Sequence, residues 1–194
     1  MLHCNIKFRH GFTFLRSGHT GYTVPATHIV LMSQPVFHAP DHDHERCTAD
    51  ALAHAEALCA QRAQRLTPIR RQVLETLLES HKPLGAYEIM DRAALTGGRP
   101  APITIYRALD FLRDNGLVHR IESRNAFVAC VNNHADGDPV VFLICEHCGA
   151  VGEAASAGVA EQLKTAARLA GFTPKAPVIE IGGVCAHCRQ HDHS

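Results

Sequence analysis

The fold of this chain is decided by residues 102–116, which read PITIYRALDFLRDNG. Pro100 and Pro102 lead into the segment and Asn115-Gly116 supplies a left-handed exit, so a helix is predicted over about residues 102–115. Four apolar residues share one face at 3.6-residue spacing: Ile105, Ala108, Leu109 and Leu112. At about 100° per residue, Tyr106 and Arg107 lie more than about 100° from the centre of that face. Both side chains are therefore expected to point outward.

Three helices are predicted before this one. Thr67-Pro68 is a strong start signal, because threonine is a good N-cap and proline fits the first helical position. The predicted spans are about residues 49–65, 68–80 and 86–95, the last of them stopped by Gly97-Gly98.

Two short strands follow the fourth helix. Leu117–Glu122 and Ala126–Val131 flank the turn Ser123-Arg124-Asn125 and form a hairpin. Helices followed by such a hairpin are typical of a winged helix, in which an exposed arginine near the start of a recognition helix reads guanine. A solvated helix face with an incidental aromatic is the alternative reading of Tyr106 and Arg107, and the hairpin favours DNA binding.

The sequence of the second half predicts a small α/β unit. Its strands are Val140–Cys145, Ala150–Glu153 and Val178–Ile181, with a helix from about Gly158 to Ala170. Three strands are too few to be stable alone, so zinc and a partner subunit are expected to support them. The fold class is therefore α+β: a winged helix-turn-helix domain and a small α/β dimerisation domain.

Two CxxC pairs, Cys145/Cys148 and Cys185/Cys188, have a spacing suited to one tetrahedral zinc. Disulfides or a redox pair are the alternatives. The sequence contains no secretory apolar segment, so a reducing, cytoplasmic location is expected, where paired cysteines are more often metal ligands. Four thiolates leave no coordination position open, so this site is structural and the chain is not predicted to be an enzyme.

A second, mixed set of metal ligands lies around the first pair. It comprises His119, Cys130, His134, Asp136, Asp138 and Glu153. Nitrogen, sulfur and oxygen donors drawn from both halves suit zinc that binds reversibly, because fewer thiolates hold it less tightly. The alternative is a surface histidine and a small buried cysteine.

The termini carry much of the histidine. Seven of the 15 histidines lie in the first 44 residues, and residues 1–48 are interpreted as a disordered tail, of which residues 1–31 precede an alternative start at Met32. The cluster from His42 to Cys47 is interpreted as a solvated arm that holds metal loosely at most. Residues 49–132 and 133–188 are the two predicted domains, and 189–194 a short tail. With 46% hydrophobic residues, zero net charge and no long apolar run, the chain predicts no membrane partner.

Several motifs occur in a specific order. On the basis of these motifs, the chain resembles the ferric uptake regulator family from about residue 50 to 188. The motifs are Leu66-Thr67-Pro68-Ile-Arg70, Ile103 to Leu112, Gly116 to Ser123 and Cys145-x-x-Cys148-Gly149. Ala86-Tyr87 and Cys145 to Val151 are most similar to the zinc uptake regulator branch.

The resemblance implies a homodimeric repressor of zinc uptake genes, in which a winged helix binds double-stranded operator DNA and zinc is the corepressor. It implies no small organic substrate. It assigns one structural zinc per subunit to Cys145, Cys148, Cys185 and Cys188. It assigns one regulatory zinc to His119, Cys130, Glu153 and a histidine between Cys130 and Cys145. An alignment without gaps places Asp138 at that position, and the only histidine in the loop is His134. We favour His134, because imidazole is the commoner ligand, with Asp138 as the alternative.

For DNA, the resemblance assigns base contacts to Tyr106 and Arg107 and a backbone contact to Tyr87. Ala101 replaces an expected basic residue, for which Arg99 can stand in. Iron, manganese or nickel sensing is the nearest alternative, although the soft ligand Cys130 favours zinc. A zinc buffer and a thiol redox sensor are rivals of other classes.

Overall fold

The computed structural model describes residues 36–37, 43–130, 140–155, 157–173 and 178–191. The predicted tail up to residue 35 and the possible start at Met32 lie outside the described residues, and so do residues 192–194. None of the described helices is long and apolar enough to cross a bilayer.

The described residues of the first half contain four helices. They are α1 (His44–Gln61), α2 (Pro68–Leu78), α3 (Ala86–Gly97) and α4 (Pro102–Asp114). Thr67 and Pro68 start α2 as predicted, and Gly98 follows α3 with a positive φ of 85° that favours glycine. The prediction for α1 was wrong at both ends, because the helix begins five residues before Ala49 and ends at Gln61. Its start is set by Asp43, whose carboxylate accepts a hydrogen bond from the Arg46 N–H at 3.0 Å.

The hairpin after α4 forms as predicted. Strands β1 (Val118–Ile121) and β2 (Ala126–Ala129) pair antiparallel around a single 3-10 turn. Leu84 extends this sheet by exchanging two backbone hydrogen bonds of 2.8 Å with Phe127. The hairpin therefore belongs to the same unit as the helices, and this confirms the predicted winged helix.

One apolar core joins the helices to the hairpin. The predicted inner face of α4 lies in it, with Ile105, Ala108, Leu109 and Leu112 each at most 2% exposed. Burying a leucine or isoleucine contributes roughly 1.5–3 kcal/mol, so this face holds α4 firmly and leaves its other side to solvent.

The second half contains a three-stranded sheet and two helices: β3 (Val140–Cys145), β4 (Val151–Ala155), α5 (Ala157–Leu169), β5 (Val178–Gly183) and α6 (Ala186–His191). Strand β3 is central, antiparallel to β4 and parallel to β5. Gly152 admits Val36 close to β4, because a Cβ there would lie 2.5 Å from the Val36 carbonyl oxygen. The sequence did not predict α6, which runs into the supposed tail.

A smaller apolar cluster connects the hairpin to this sheet. Ile121 and Val128 of the hairpin pack with Phe142, Ile144 and Val151 of β3 and β4. By contrast, the predicted apolar face of α5 is not buried within the chain, since Val159 and Leu163 are 40% and 42% exposed. Only the first of these two faces belongs to a buried apolar cluster of the described residues.

Candidate metal centres and nucleic-acid interface

The four cysteines of the two CxxC pairs lie together at one end of the sheet. Cys145 ends β3, Cys148 closes the turn before β4, and Cys185 and Cys188 flank the start of α6. The Cys145 and Cys188 sulfurs are 3.8 Å apart, and those of Cys148 and Cys185 are 4.0 Å apart. Four Zn–S bonds of about 2.3 Å at tetrahedral angles separate sulfurs by about 3.8 Å, so the cluster fits zinc.

Backbone groups hold these sulfurs in place. The Gly149 N–H donates to the Cys145 carbonyl at 3.0 Å, and a φ of 79° at Gly149 turns the chain back towards β4. The Cys185 N–H donates to the Cys145 Sγ at 3.4 Å, and the Cys188 N–H donates to the Cys185 Sγ at the same distance. Backbone hydrogen bonds therefore support a donor set that could hold a tetrahedral zinc ion.

The thiols of this cluster differ in acidity. Burial raises the pKa of Cys145, but hydrogen bonds from the backbone of Cys185, Cys148 and His147 outweigh it and lower the pKa to about 6. Hydrogen bonding to Cys185 and burial raise the pKa of Cys188 to about 12. The cluster therefore favours the charged form at Cys145 and disfavours it at Cys188, and metal binding would release the protons that remain.

The structure brings together three of the predicted regulatory ligands. His119 lies on β1, Cys130 follows β2 and Glu153 lies on β4, and their donor atoms are all within 4.8 Å of one another. The His119 Nε2 is 3.7 Å from one Glu153 oxygen, and the Cys130 thiol donates to the other at 3.7 Å. One nitrogen, one sulfur and one oxygen at these separations are compatible with tetrahedral zinc.

Two of the donors in this second cluster are mostly buried. The Glu153 side chain is 3% exposed and that of His119 is 21% exposed. The imidazole packs against Phe142, with ring centroids 5.2 Å apart. His134, Asp136 and Asp138 lie outside the described residues, so the choice between His134 and Asp138 as fourth ligand stays a prediction.

Further contacts join the winged helix to the sheet, and the sequence did not suggest them. Glu180 of β5 accepts hydrogen bonds from the backbone N–H groups of Glu122 and Ser123, at 2.6 and 3.1 Å. Arg124 donates to the Cys145 carbonyl at 3.5 Å, and the Val151 N–H donates to the His81 carbonyl at 3.0 Å. Because these partners are distant in sequence, no local pattern could have indicated the contacts.

The acidity of Glu180 reflects these contacts. Burial raises its pKa, but hydrogen bonds from Ser123 and Glu122 and the charge of Arg124 outweigh that effect and lower it below the ordinary range. The carboxylate therefore anchors the turn of the wing to β5.

The four residues predicted to contact DNA are all exposed. Tyr106 is 41% exposed and Arg107 is its neighbour on the outer side of α4, as predicted from the helical period. Tyr87 lies in the first turn of α3 and is 65% exposed. Arg99 lies between α3 and α4, where it forms an ion pair of 2.8 Å with Asp91. An exposed pair of this kind is weak and can exchange its partner for a phosphate.

Known proteins resemble this chain over most of its length. A zinc uptake regulation protein from Escherichia coli (strain K12) is 39% identical over 161 residues, which span 76% of this chain and 92% of that protein. A solved structure of a zinc uptake regulator complexed with zinc and DNA is 38% identical, with a TM-score of 0.70 over 76% of this chain and 98% of the other. The crystal structure of holo XcZur is 42% identical, with a TM-score of 0.67 over 73% and 98% of the two chains.

The family follows from the sequence match as well. Residues 61–181 match the model of the ferric uptake regulator family. This range contains α2 to α4, the hairpin and most of the three-stranded sheet. The predicted resemblance, including that to zinc uptake regulators, is confirmed. This chain belongs to the ferric uptake regulator family.

Proposed function

We propose that this chain is a cytoplasmic, zinc-responsive transcriptional repressor that binds operator DNA as a homodimer when its regulatory zinc is bound, and that it controls zinc uptake genes. The observation that carries the proposal is the mixed cluster of His119, Cys130 and Glu153, which draws its donors from both the hairpin and the sheet. The similar proteins are zinc uptake regulators, and the structure of one was solved with zinc and DNA, which supports the same function.

The position of the mixed cluster gives it control over geometry. His119 and Cys130 belong to the hairpin and Glu153 to the sheet, so the three donors converge only while hairpin and sheet are packed together. Zinc bound by these residues would favour that packed arrangement over any arrangement that separates them. Its affinity and that of the operator are then coupled reciprocally.

The chain's own residues define the packed arrangement. Ile121 and Val128 lie on the apolar side of the β3–β4 sheet, and Glu180 holds the turn of the wing through two backbone hydrogen bonds. Together they orient the hairpin, and with it α4, relative to the sheet. A dimer built on the sheets thereby sets the distance between two recognition helices, which must match two half-sites.

The recognition surface is the outer side of α4. Arg107 can bind guanine through two hydrogen bonds, and Tyr106 can contact a thymine methyl group or a phosphate. Tyr87 is assigned to the DNA backbone, where it positions the helix without reading sequence, and Arg99 stands in for the basic residue expected before α4.

Exposed apolar side chains in the second half support a dimer. They include Val159, Leu163, Phe172, Val178 and Ile181, each at least 40% exposed. Such a concentration of exposed apolar residues marks an interaction surface on a folded protein.

The proposal is tested by Cys130→Ser in the full chain. We expect the variant to retain the structural zinc and the dimer but to lose zinc-dependent operator binding, measured by metal content, sedimentation and fluorescence anisotropy on the same sample. Cys59→Ala is the matched control, because Cys59 is a buried cysteine of α1 outside the donor clusters. Tight operator binding by Cys130→Ser with one zinc per subunit would contradict the mechanism.

A second experiment tests the recognition surface. Arg107→Ala should weaken specific operator binding by roughly 1–3 kcal/mol and leave binding to random DNA nearly unchanged. Equal losses on both DNAs would remove Arg107 from base reading and leave it as a phosphate contact.

A further inference from the structure

A third group of metal-ligand side chains lies away from both sites described above. It consists of His44, Cys47 and His81, whose donor atoms all lie within 4.8 Å of one another. His44 and Cys47 are one turn apart in the first turns of α1, where residues three apart share a face. His81 lies between α2 and α3, and its ring centroid is 5.2 Å from that of His44. The first turns of α1 and the α2–α3 connection, distant in sequence, thus converge on one point.

Hydrogen bonds hold both sides of this cluster. The Thr48 hydroxyl lies 3.0 Å from the His44 carbonyl and 3.4 Å from the Leu78 carbonyl, so it ties the start of α1 to the end of α2. The His81 carbonyl accepts a hydrogen bond from the Val151 N–H of β4. All three donor residues are partly buried, which leaves a route for an ion from solvent. The cluster therefore has a supported backbone and an accessible face.

We propose that His44, Cys47 and His81 form a further zinc site. Two imidazoles and one thiolate are donors that zinc prefers, whereas calcium and magnesium prefer oxygen. Three protein ligands leave the fourth tetrahedral position to solvent, so the site binds zinc less tightly than the four-sulfur cluster.

This site does not depend on the proposed function. None of its three ligands belongs to the four-sulfur cluster or to the mixed cluster, and none lies on the outer side of α4. Its position does link it to the regulatory region, because the His81 carbonyl binds the backbone of β4 two residues before Glu153. Zinc at this site therefore stabilises the contact between the α2–α3 connection and β4.

The site is tested with cobalt as a spectroscopic probe in the full chain carrying Cys130→Ser, which removes the thiol of the mixed cluster. Thiolate bound to Co²⁺ gives a charge-transfer absorption, and its amplitude is compared between this parent and the same chain with Cys47→Ser. We expect Cys47→Ser to abolish part of the absorption, and added zinc to displace that part in the parent. The remaining absorption reports any cobalt that has entered the four-sulfur cluster.

Two histidine variants provide the ligand test. His81→Asn and His44→Asn in the same parent should each weaken this cobalt and zinc binding by at least about tenfold, since even an outer-shell partner of a ligand contributes that much. His54→Asn is the matched control, because His54 is an exposed histidine of α1 outside the cluster. An unchanged thermal unfolding transition of the metal-free protein shows that each variant is folded.

Two results would overturn the proposal. One is an equal charge-transfer amplitude with and without Cys47. The other is a zinc affinity for His81→Asn and His44→Asn that equals that of His54→Asn, which would assign the extra zinc to the other histidines of the chain. Both results leave the Cys130→Ser test of operator binding unaffected, so the two proposals fail separately.

Discussion

The four-sulfur cluster and the mixed cluster differ in how the chain brings their ligands together. The four cysteines come from the end of one sheet and the helix beside it, and backbone N–H groups of Cys185 and Cys188 point at two of the sulfurs. The ligands His119, Cys130 and Glu153 come from a hairpin and a separate sheet, and only tertiary packing joins them. We propose that the four-sulfur cluster keeps its ion whatever the hairpin does, whereas the mixed cluster binds its ion only while hairpin and sheet are packed together.

Donor chemistry follows the same division. Four soft sulfurs bind zinc tightly and leave no position free, while one sulfur, one imidazole and one carboxylate bind it less tightly. We therefore propose a role in folding for the first cluster and a role in control for the second. Substitutions in each should separate these roles.

The largest effect is expected from Cys185→Ser. Structural zinc contributes on the order of 10 kcal/mol to the folding of small domains, so removing one sulfur should release the ion on mild chelation and destabilise residues 140–191. Hydrogen exchange should then show lost protection in β3, β5 and α6, with α1–α4 still protected. Cys59→Ala serves as the control for loss of a buried cysteine. Unchanged protection and zinc content in Cys185→Ser would remove the structural role.

An intermediate effect is expected from Glu153→Gln. The substitution keeps the shape of a nearly buried side chain but removes its negative charge, so zinc affinity at the mixed cluster should fall at least about tenfold while the four-sulfur zinc stays. Competition with a chromophoric chelator measures the zinc affinity of the mixed cluster and the zinc retained by the four-sulfur cluster. The exposed Glu161→Gln is the matched control, and identical titrations of the two variants would show that Glu153 is not a ligand.

The smallest effect is expected from Glu180→Gln, which weakens two backbone hydrogen bonds without touching either cluster. Weakening these hydrogen bonds should lower the free energy of unfolding by on the order of 1 kcal/mol and speed amide exchange at Glu122 and Ser123. The folded pKa of Glu180 is lowered, so its contribution is present above the unfolded value of about 4.3 and is lost as the pH falls through the folded value.

The acid limb of a pH–stability curve checks this prediction. The wild type should lose more stability than Glu180→Gln below about pH 4.3, because only the wild type has this carboxylate to protonate. Parallel curves and equal amide exchange would show that Glu180 does not hold the wing.

The features predicted correctly from sequence were local ones. Thr67-Pro68 set the start of α2, the 3.6-residue period set both faces of α4, and the spacing of the CxxC pairs indicated a metal cluster. The helix start, the helical period and each CxxC pair depend on residues within one element or one turn, although packing brings the two pairs together. The start of α1 was also encoded locally, in the Asp43 cap. It was missed because residues 42–47 were interpreted as a solvated arm.

The features missed were contacts between distant elements. Glu180 meets the wing turn from 57 and 58 residues away, and His81 joins His44 and Cys47 only because α1 packs beside the end of α2. Neither has a signature in spacing or periodicity. The resemblance supplied the grouping of His119, Cys130 and Glu153, which the residues alone left open.

The most direct test of the central claim is the zinc content per subunit before and after mild chelation, measured beside operator affinity on the same samples. We predict that chelation removes zinc from the mixed cluster, that the four-sulfur zinc remains, and that operator affinity falls in step with the zinc removed. A chelated sample that holds only the four-sulfur zinc and still binds the operator as tightly as the loaded protein would contradict the account.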